Sequence, residues 1–271
     1  MTTMSNTRPP LRIADIWRTP LHDFPIRDEI LYQYLPLSRE LDVLEVGPGS
    51  GFTAQQWAPK VKSLTLLDIA AGNIARLQTA LGSIPNLRFV CADICKPEVS
   101  VAERFGAAYA IEVFELLPDP EQCLKNLAAL LRPGALLLLQ FPNYPPPRSP
   151  GMTYFSTRKE LDRLLQAAGF ASWSVYSLNL RPWARGLFNV FHEIPLGWYR
   201  RVRSRAPQGR PLVYDDSWAF AHERRVEPYK YVLHSAWLGL AAALRAGGDA
   251  FASEPLADQI LNHNLLVLAR R

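Results

Sequence analysis

The sequence predicts an α/β protein built on a doubly wound, mostly parallel sheet of seven strands. Short apolar runs of strand type alternate with segments of helical spacing through residues 41–180. The run Ala135–Phe141 is almost entirely apolar, which indicates that both of its faces are covered, as in a central parallel strand. The first run, Leu41–Val46, leads directly into Gly-x-Gly-x-Gly at residues 47–51, which is the pattern of a sharp turn from strand to helix.

The other elements of this core follow in order along the chain. Helices are expected at residues 53–58 and 71–81, from Pro120 onward, and at 157–168. Strands are expected at residues 64–68, 87–94, 107–114, 135–141 and 171–180, with an antiparallel last strand at 264–269. The predicted core therefore takes residues 41–180 and 261–271.

Two further segments lie outside this core. Residues 1–40 are predicted to form an N-terminal helical cap, and residues 181–260 a helical insertion between the sixth and seventh strands. The first part of the insertion, residues 181–210, carries seven arginines, one acidic residue and five aromatic residues. We expect the insertion to act as a lid that forms an apolar substrate pocket. The alternatives for this insertion are an amphipathic element that contacts a membrane and a dimer interface.

Composition limits the class of protein. The chain has 271 residues, 48% of them hydrophobic, and can bury a full core. Its net charge of +5 is a mild excess that a nucleic-acid partner could use but that does not require one. The three cysteines lack the paired spacing of a zinc site, so we expect them to be reduced and expect no metal. Without an apolar leader or a run of about 20 apolar residues, we expect a cytoplasmic protein, with peripheral membrane contact as an alternative.

The glycine-rich stretch carries a family resemblance. A dinucleotide site would have its third glycine at position 52, where this chain has Phe52. The stretch Glu45-Val46-Gly47-Pro48-Gly49-Ser50-Gly51 instead resembles motif I of the class I S-adenosylmethionine-dependent methyltransferases, which have a Rossmann-like sheet. The resemblance implies that the loop wraps the methionine part of the cofactor. It assigns to cofactor binding Glu45, Gly47, Pro48, Gly49 and Gly51.

An acidic residue ends the second expected strand. Asp68 lies about 20 residues beyond the glycines, where a carboxylate accepts hydrogen bonds from both ribose hydroxyls. Ile69 beside it is assigned to the same site. The alternative is that Asp68 only caps the helix at 71–81.

Two more strand ends resemble the family. The resemblance implies that Asp93 accepts a hydrogen bond from the adenine amino group and that Ile94 touches the ring. The stretch 112–120 resembles the family's Glu-Val-x-Glu-His-x-x-Asp-Pro signature, which adds Glu112 to the cofactor site. Leu116 replaces the histidine of that signature, so this chain has no base there.

The resemblance implies methyl transfer to a hydrophobic small-molecule or lipid-like acceptor. The enzyme would contribute mainly alignment and exclusion of water, and the residues do not distinguish an O, N or C acceptor. Three histidines are candidate bases, and each has a structural role as its alternative: His192, His222 and His234. The candidate substrate residues are Tyr144, Arg148, Tyr154, Arg181, Trp183 and Arg185.

Several other functions were weighed against this one. A membrane-associated lipid methyltransferase and a non-catalytic S-adenosylmethionine-binding protein are the alternatives, and a homodimer is a further expectation for the insertion. Nucleic-acid amine methylation is disfavoured because Asn143-Tyr144-Pro145-Pro146 has the wrong order for an Asn-Pro-Pro-Tyr box. An aminopropyl transferase is disfavoured because its polyamine needs an acidic pocket, whereas the insertion is basic.

Overall fold

The protein is described here from a computed structural model. The structure describes residues 34–35, 37–49, 51–99, 101, 103–143, 152–180, 251–255 and 263–271, with the single positions 186, 190 and 194. The chain divides into two compact units. One comprises Tyr34–Asn179 and Ser253–Arg271, and the other Met1–Gln33 and Leu180–Ala252. The predicted N-terminal cap and most of the predicted insertion lie outside the described residues, so both stay predictions.

The described elements form a single mixed sheet with helices. The strands are β1 (Asp42–Val46), β2 (Ser63–Asp68), β3 (Leu87–Cys91), β4 (Phe105–Ile111), β5 (Leu131–Asn143), β6 (Ser172–Leu180), β7 (Phe251–Pro255) and β8 (His263–Arg270). The helices are α1 (Phe52–Trp57), α2 (Ala71–Leu81), α3 (Pro120–Leu130) and α4 (Arg158–Ala167), with 3₁₀ turns at Ala58–Lys60 and Phe114–Leu116. The strand order is β3-β2-β1-β4-β5-β8-β6-β7.

This order confirms the predicted doubly wound, seven-stranded and mostly parallel sheet. Strands β1 to β5 pair in parallel, and β8, the predicted last strand, is antiparallel to both β5 and β6. The structure adds an eighth strand, β7, beside β6 at the edge of the sheet. Residues 251–255 were expected to belong to a helical insertion, and that expectation was wrong for them. An edge position tolerates Pro255 because an edge strand leaves one side of its backbone unpaired.

Two strands end earlier than the sequence suggests, and both ends lie beside the candidate site. The third strand was expected to reach residue 94, but β3 ends at Cys91, because Cys95 N–H donates to the Asp93 carboxylate at 2.9 Å and turns the chain. The fourth strand was expected to reach residue 114, but β4 ends at Ile111. There Glu112 takes a positive φ of 54°, which no strand accommodates.

The core lies mainly on the face of the sheet that carries α3 and α4. Buried residues of these helices form one cluster with alternate residues of the central strands, among them Leu137, Leu139 and Phe141. The intervening Leu136, Leu138 and Gln140 are buried as well, as expected for a central strand covered on both faces. Three aromatic rings, those of Phe114, Phe141 and Phe155, pack with centroids 5.1 to 6.1 Å apart. They join the segments that follow β4 and β5.

Helix α2 packs on β2 and β3 outside that cluster. Its buried residues, Ile74, Leu77 and Leu81, recur at helical spacing, which produces one apolar face. Each such side chain contributes about 1.5–3 kcal/mol by burial. In the part of the chain that the structure describes, no helix is long and apolar enough to cross a membrane.

A polar cluster lies at the amino ends of the strands, opposite the candidate site. The Asp42 carboxylate accepts hydrogen bonds from Ser63 Oγ at 2.7 Å, Arg132 Nη2 at 2.7 Å and Lys62 Nζ at 3.2 Å. Burial raises the pKa of Asp42, but the hydrogen bonds from Ser63, Arg132 and Lys62 outweigh it and hold the pKa below its ordinary value of 3.8. The charged carboxylate therefore stabilises the folded state.

We expect Asp42→Asn to lower the free energy of unfolding at pH 7 by about 1 kcal/mol, because Ser63 would then donate to a neutral amide oxygen in place of a charged carboxylate. The two basic partners add little because they are exposed. A group with a lowered folded-state pKa stabilises fully above its unfolded pKa and loses this contribution as the pH falls through the folded value. Urea unfolding of both proteins should thus show a difference that shrinks once the pH drops below 3.8. A difference independent of pH would contradict the charge-based account.

Candidate functional site

The loop after β1 lies at the point where the strand order reverses. From β1 the chain moves to β2 and β3 on one side, then returns to β4 on the other. The three glycines of the loop have positive φ: 66° at Gly47, 52° at Gly49 and 78° at Gly51. Only glycine adopts this conformation without steric cost, so the glycine pattern read from the sequence corresponds to a backbone requirement.

The loop is enclosed by three neighbouring elements. Gly47 N–H donates to the Leu67 carbonyl of β2 at 2.9 Å, and a Cβ on Gly47 would overlap the Val113 side chain that follows β4. A Cβ on Gly51 would meet Leu77 and also Leu81, the latter at 2.7 Å, so this glycine allows α2 to pack closely. The backbone of the loop is therefore held between the ends of β2 and β4 and the apolar face of α2.

Glu45 and Pro48, the other motif residues, are buried. Glu45 is 1% exposed and lies on β1 between Leu66 of β2 and Tyr109 of β4. Pro48 accepts a hydrogen bond from Gly51 N–H at 2.9 Å through its carbonyl, which closes the turn. Pro48 thus closes the turn of the loop, and Glu45 lies in the strand that leads into it.

Asp68 ends β2 beside this loop. Its Oδ1 accepts from Ala70 N–H at 2.9 Å and its Oδ2 from Asn73 Nδ2 at 2.6 Å. Asp68 thus forms a local turn just before α2 and does not cap the backbone of the helix, whose N-cap residue is Ala70. A carboxylate offers about four acceptor positions, so capacity remains for hydroxyl donors of a ligand. Ile69, the next residue, is 48% exposed and adds an apolar surface beside the carboxylate.

Asp93 and Ile94 differ in accessibility. The end of β3 is drawn to the end of β2 by the hydrogen bond from Ala92 N–H to the Asp68 carbonyl at 3.0 Å. Asp93 is half-buried, and its Oδ1 accepts from Cys95 N–H. Ile94 is only 3% exposed and packs in the core cluster, so the exposed apolar side chain here is that of Ile69.

Glu112 follows β4 on the other side of the reversal point. It is a non-glycine residue at φ 54°, and its N–H donates to the Gln140 carbonyl of β5 at 2.7 Å. Such a conformation costs on the order of 1–3 kcal/mol and is concentrated at functional sites. The strained turn directs Val113 toward Gly47.

Of the candidate substrate residues, the structure describes Tyr154. It lies between Thr153, whose N–H donates to the Glu115 carbonyl at 2.7 Å, and Phe155, whose N–H donates to Asn143 Oδ1 at 2.9 Å. Tyr154 is thereby held beside the segment after β4. The remaining candidates lie outside the described residues: Tyr144, Arg148, Arg181, Trp183 and Arg185, with the histidines His192, His222 and His234.

The cysteines are free thiols, as expected. Burial raises the pKa of Cys95 and raises that of Cys123 well above the ordinary thiol value, so both stay protonated at neutral pH. Across the described residues, no group of His, Cys, Asp or Glu has an arrangement that could hold a metal ion.

Sequence reasoning missed Asn73 and Arg76 of α2. Both side chains donate to the Gly49 carbonyl, at 3.2 and 2.7 Å, and thus reach the glycine loop from the helix. Their spacing of three residues places them on one side of the helix start, next to the acidic residue that precedes it. That spacing was the available signal.

Comparison with known proteins agrees with this geometry. The family model described as a methyltransferase domain matches residues 22–175, more than half of the chain. The chain belongs to this family. The match confirms the resemblance that the glycine motif carries.

Two curated relatives are similar to the chain. An enzyme named ubiquinone biosynthesis O-methyltransferase, from Coxiella burnetii, is 31% identical over 126 residues, covering 44% of this chain and 50% of the relative. A protein of Mycolicibacterium smegmatis named a probable S-adenosylmethionine-dependent methyltransferase is 30% identical over 152 residues, covering 53% and 58%. The chain thus spans about half the length of the curated relatives it matches.

A solved structure shares the fold. Phosphoethanolamine N-methyltransferase 2 of Haemonchus contortus, in complex with phosphomonomethylethanolamine and S-adenosylhomocysteine, aligns with a TM-score of 0.52. The alignment covers 92% of this methyltransferase-domain chain and 53% of that chain at 17% identity. At this identity the likeness concerns the fold alone.

The glycine loop allows a matched test of the close approach at Gly47. We expect Gly134→Ala, at φ 79° with no atom within 4 Å of the new Cβ, to cost about 1 kcal/mol of stability through backbone strain. Gly47→Ala should cost at least about 1 kcal/mol more, because its Cβ also overlaps Val113. Urea unfolding measures both.

The Val113→Ala variant serves as the control for that overlap. In a Val113→Ala background, the cost of Gly47→Ala should fall to that of Gly134→Ala. An unchanged cost in that background would show that Val113 does not restrict the loop.

Proposed function

We propose that this chain binds S-adenosylmethionine at the carboxyl ends of β1 to β4 and transfers its methyl group to a small-molecule acceptor. One observation carries the proposal. The positive-φ glycine loop, the Asp68 carboxylate and the strained Glu112 turn meet at the reversal point of the sheet, where doubly wound folds bind their ligands. The family match supports it.

The residues present fit this cofactor. The glycines leave the loop without side chains where a ligand must approach the backbone, and Asp68 retains acceptor capacity for two ribose hydroxyls. Ile69 is an exposed apolar side chain that an adenine ring would cover. When bound, S-adenosylmethionine supplies a methyl group on a positively charged sulfur, which is already an activated leaving group.

Each site residue has a proposed role in holding the ligand. Residues 45–51 hold the methionine part, Asp68 the ribose, and Asp93 with Ile69 the adenine, whereas Ile94 packs in the core. Glu112 shapes the opposite wall of the crevice through its φ of 54°. The protein then contributes orientation of the acceptor and exclusion of water, which together supply most of the rate in an aligned displacement.

The acceptor is proposed to be hydrophobic or lipid-like. The named Coxiella relative acts on oxygen and the named Haemonchus enzyme on nitrogen, so the family resemblance supports a small-molecule acceptor without selecting its atom. The aromatic residues among 181–210 support the apolar character. The His bases, the substrate-binding arginines, a cytoplasmic location, and a membrane or dimer contact through residues 181–260 stay predictions.

The first prediction of this proposal concerns Asp68. Asp68→Ala should weaken S-adenosylhomocysteine binding, because each hydrogen bond from a ribose hydroxyl to the charged carboxylate contributes about 1.5–3 kcal/mol. Isothermal titration calorimetry measures this loss. Asp42→Asn, at the opposite end of the sheet, is the matched control: it should change stability but leave affinity unaltered. Equal affinity of Asp68→Ala and the wild type would refute the ribose assignment.

A second prediction separates an enzyme from a binding protein. Incubation with S-adenosylmethionine labelled in its methyl group, together with a small-molecule and lipid extract, should transfer label to an extract component. The rate should be unchanged by EDTA, because a sulfonium needs no Lewis acid to leave. Binding without any transfer would favour a non-catalytic protein. Loss of activity with EDTA, restored by one divalent ion, would contradict the metal-free mechanism.

A further inference from the structure

Polar side chains link the start of α2 to the glycine loop and to the Asp68 carboxylate, the two parts of the proposed cofactor site. We infer that Asn73 and Arg76 are positioning residues that join the glycine loop to the Asp68 carboxylate, so that the two parts of the cofactor are held by one connected unit. This inference rests on the proposed function above, because it assigns the methionine part to the loop and the ribose to Asp68.

Asn73 links the glycine loop to the Asp68 carboxylate. Its Nδ2 donates one hydrogen bond to Asp68 Oδ2 at 2.6 Å and another to the Gly49 carbonyl at 3.2 Å. The first is a short bond to a charged acceptor, a class about twice as strong as a bond between neutral groups. One amide group therefore sets the orientation of the carboxylate and the position of the loop together.

Arg76 holds both Asn73 and the loop. Its Nη2 donates to the Gly49 carbonyl at 2.7 Å, and its Nε and Nη2 donate to Asn73 Oδ1 at 3.2 and 2.6 Å. These contacts determine the orientation of the Asn73 amide. A reversed amide would place its oxygen against two acceptors and its NH₂ group against the guanidinium, which has only donors.

The loop needs this support because its glycines have no side chains of their own. Gly49 is at φ 52°, and in the folded chain its carbonyl receives donors from two side chains of α2. Glycine loses more conformational freedom on folding than any other residue, so a glycine-rich loop is costly to order. The two donors from α2 offset part of that cost before the ligand binds, which is preorganisation.

Two probes distinguish the two halves of this network. S-adenosylhomocysteine carries the amino-acid part, the ribose and the adenine, whereas 5′-methylthioadenosine lacks the amino-acid part. Asn73→Ala should weaken both probes by about tenfold or more, because it removes the hydrogen bond that orients Asp68. Arg76→Ala should weaken S-adenosylhomocysteine more than 5′-methylthioadenosine, because Arg76 contacts the loop directly and Asp68 only through Asn73. Arg76→Lys, which retains one donor, should recover part of the affinity.

Asn86→Ala is the matched control. Asn86 also bridges two backbone carbonyls, those of Ala58 and Val61 at 2.6 and 3.1 Å, but far from the carboxyl ends of the strands. Its removal should lower the melting temperature and leave both dissociation constants unchanged. Calorimetry and thermal unfolding of the full chain give the two readouts for every variant.

The outcomes separate the inference from the proposed function. A wild-type chain that binds neither probe would refute the proposed function. Wild-type binding with Asn73→Ala and Arg76→Ala at wild-type affinity would overturn the inference alone. Equal losses for both probes in Arg76→Ala, with a lower melting temperature, would also overturn it by showing a merely structural role. Should Asn73→Ala fail to fold, the ratio of the two probes in Arg76→Ala and Arg76→Lys decides the question.

Discussion

The site depends on one close approach, the passage of the Gly47 backbone beside the Val113 side chain. Val113 occupies the position that a Cβ on residue 47 would need, and Glu112 adopts φ 54° just before it. The segments that follow β1 and β4 can therefore lie side by side only because residue 47 has no side chain. The parallel register of β1 with β4, in which Val43 lies opposite Ala107 and Val46 opposite Ala110, brings these two segments together. A crevice at the reversal point follows from these two features together.

Stability and ligand binding are assigned to opposite ends of the sheet. At the amino ends, the Asp42 carboxylate joins β1 to β2 and β5 through Ser63 and Arg132, and these partners satisfy it internally. At the carboxyl ends, Asp68 accepts hydrogen bonds from Ala70 N–H and Asn73 Nδ2 but keeps acceptor capacity for a ligand. Both residues are acidic and lie at strand ends. Their hydrogen-bond partners, and not their residue type, distinguish the structural carboxylate from the one that is proposed to bind a ligand.

The sequence predicts those parts of the fold that local patterns control. Helix α2 was expected at residues 71–81 and spans Ala71–Leu81, because its apolar spacing is unambiguous. The end of β3 was misplaced because the prediction overlooked a local Asx turn at Asp93. The end of β4 was misplaced because the positive φ at Glu112 accompanies a hydrogen bond to Gln140 of β5, which no spacing encodes. The distance of Asp68 from the glycines predicts a ribose acceptor, and that role stays a prediction. Its partner Asn73 was missed, because its spacing of three residues from Arg76 does not by itself distinguish loop-binding side chains from solvated ones.

Helix α2 combines the two kinds of contact that a side-chain-free loop requires. Its apolar face brings Leu77 and Leu81 against Gly51, where only the absence of a Cβ permits such packing. Its polar side brings Asn73 and Arg76 to the Gly49 carbonyl, two residues earlier in the same loop. Apolar contact restricts where the loop lies, and directional hydrogen bonds restrict how its carbonyl points. The same helix holds the Asp68 carboxylate through Asn73, so displacement of α2 would disturb the loop and the carboxylate together.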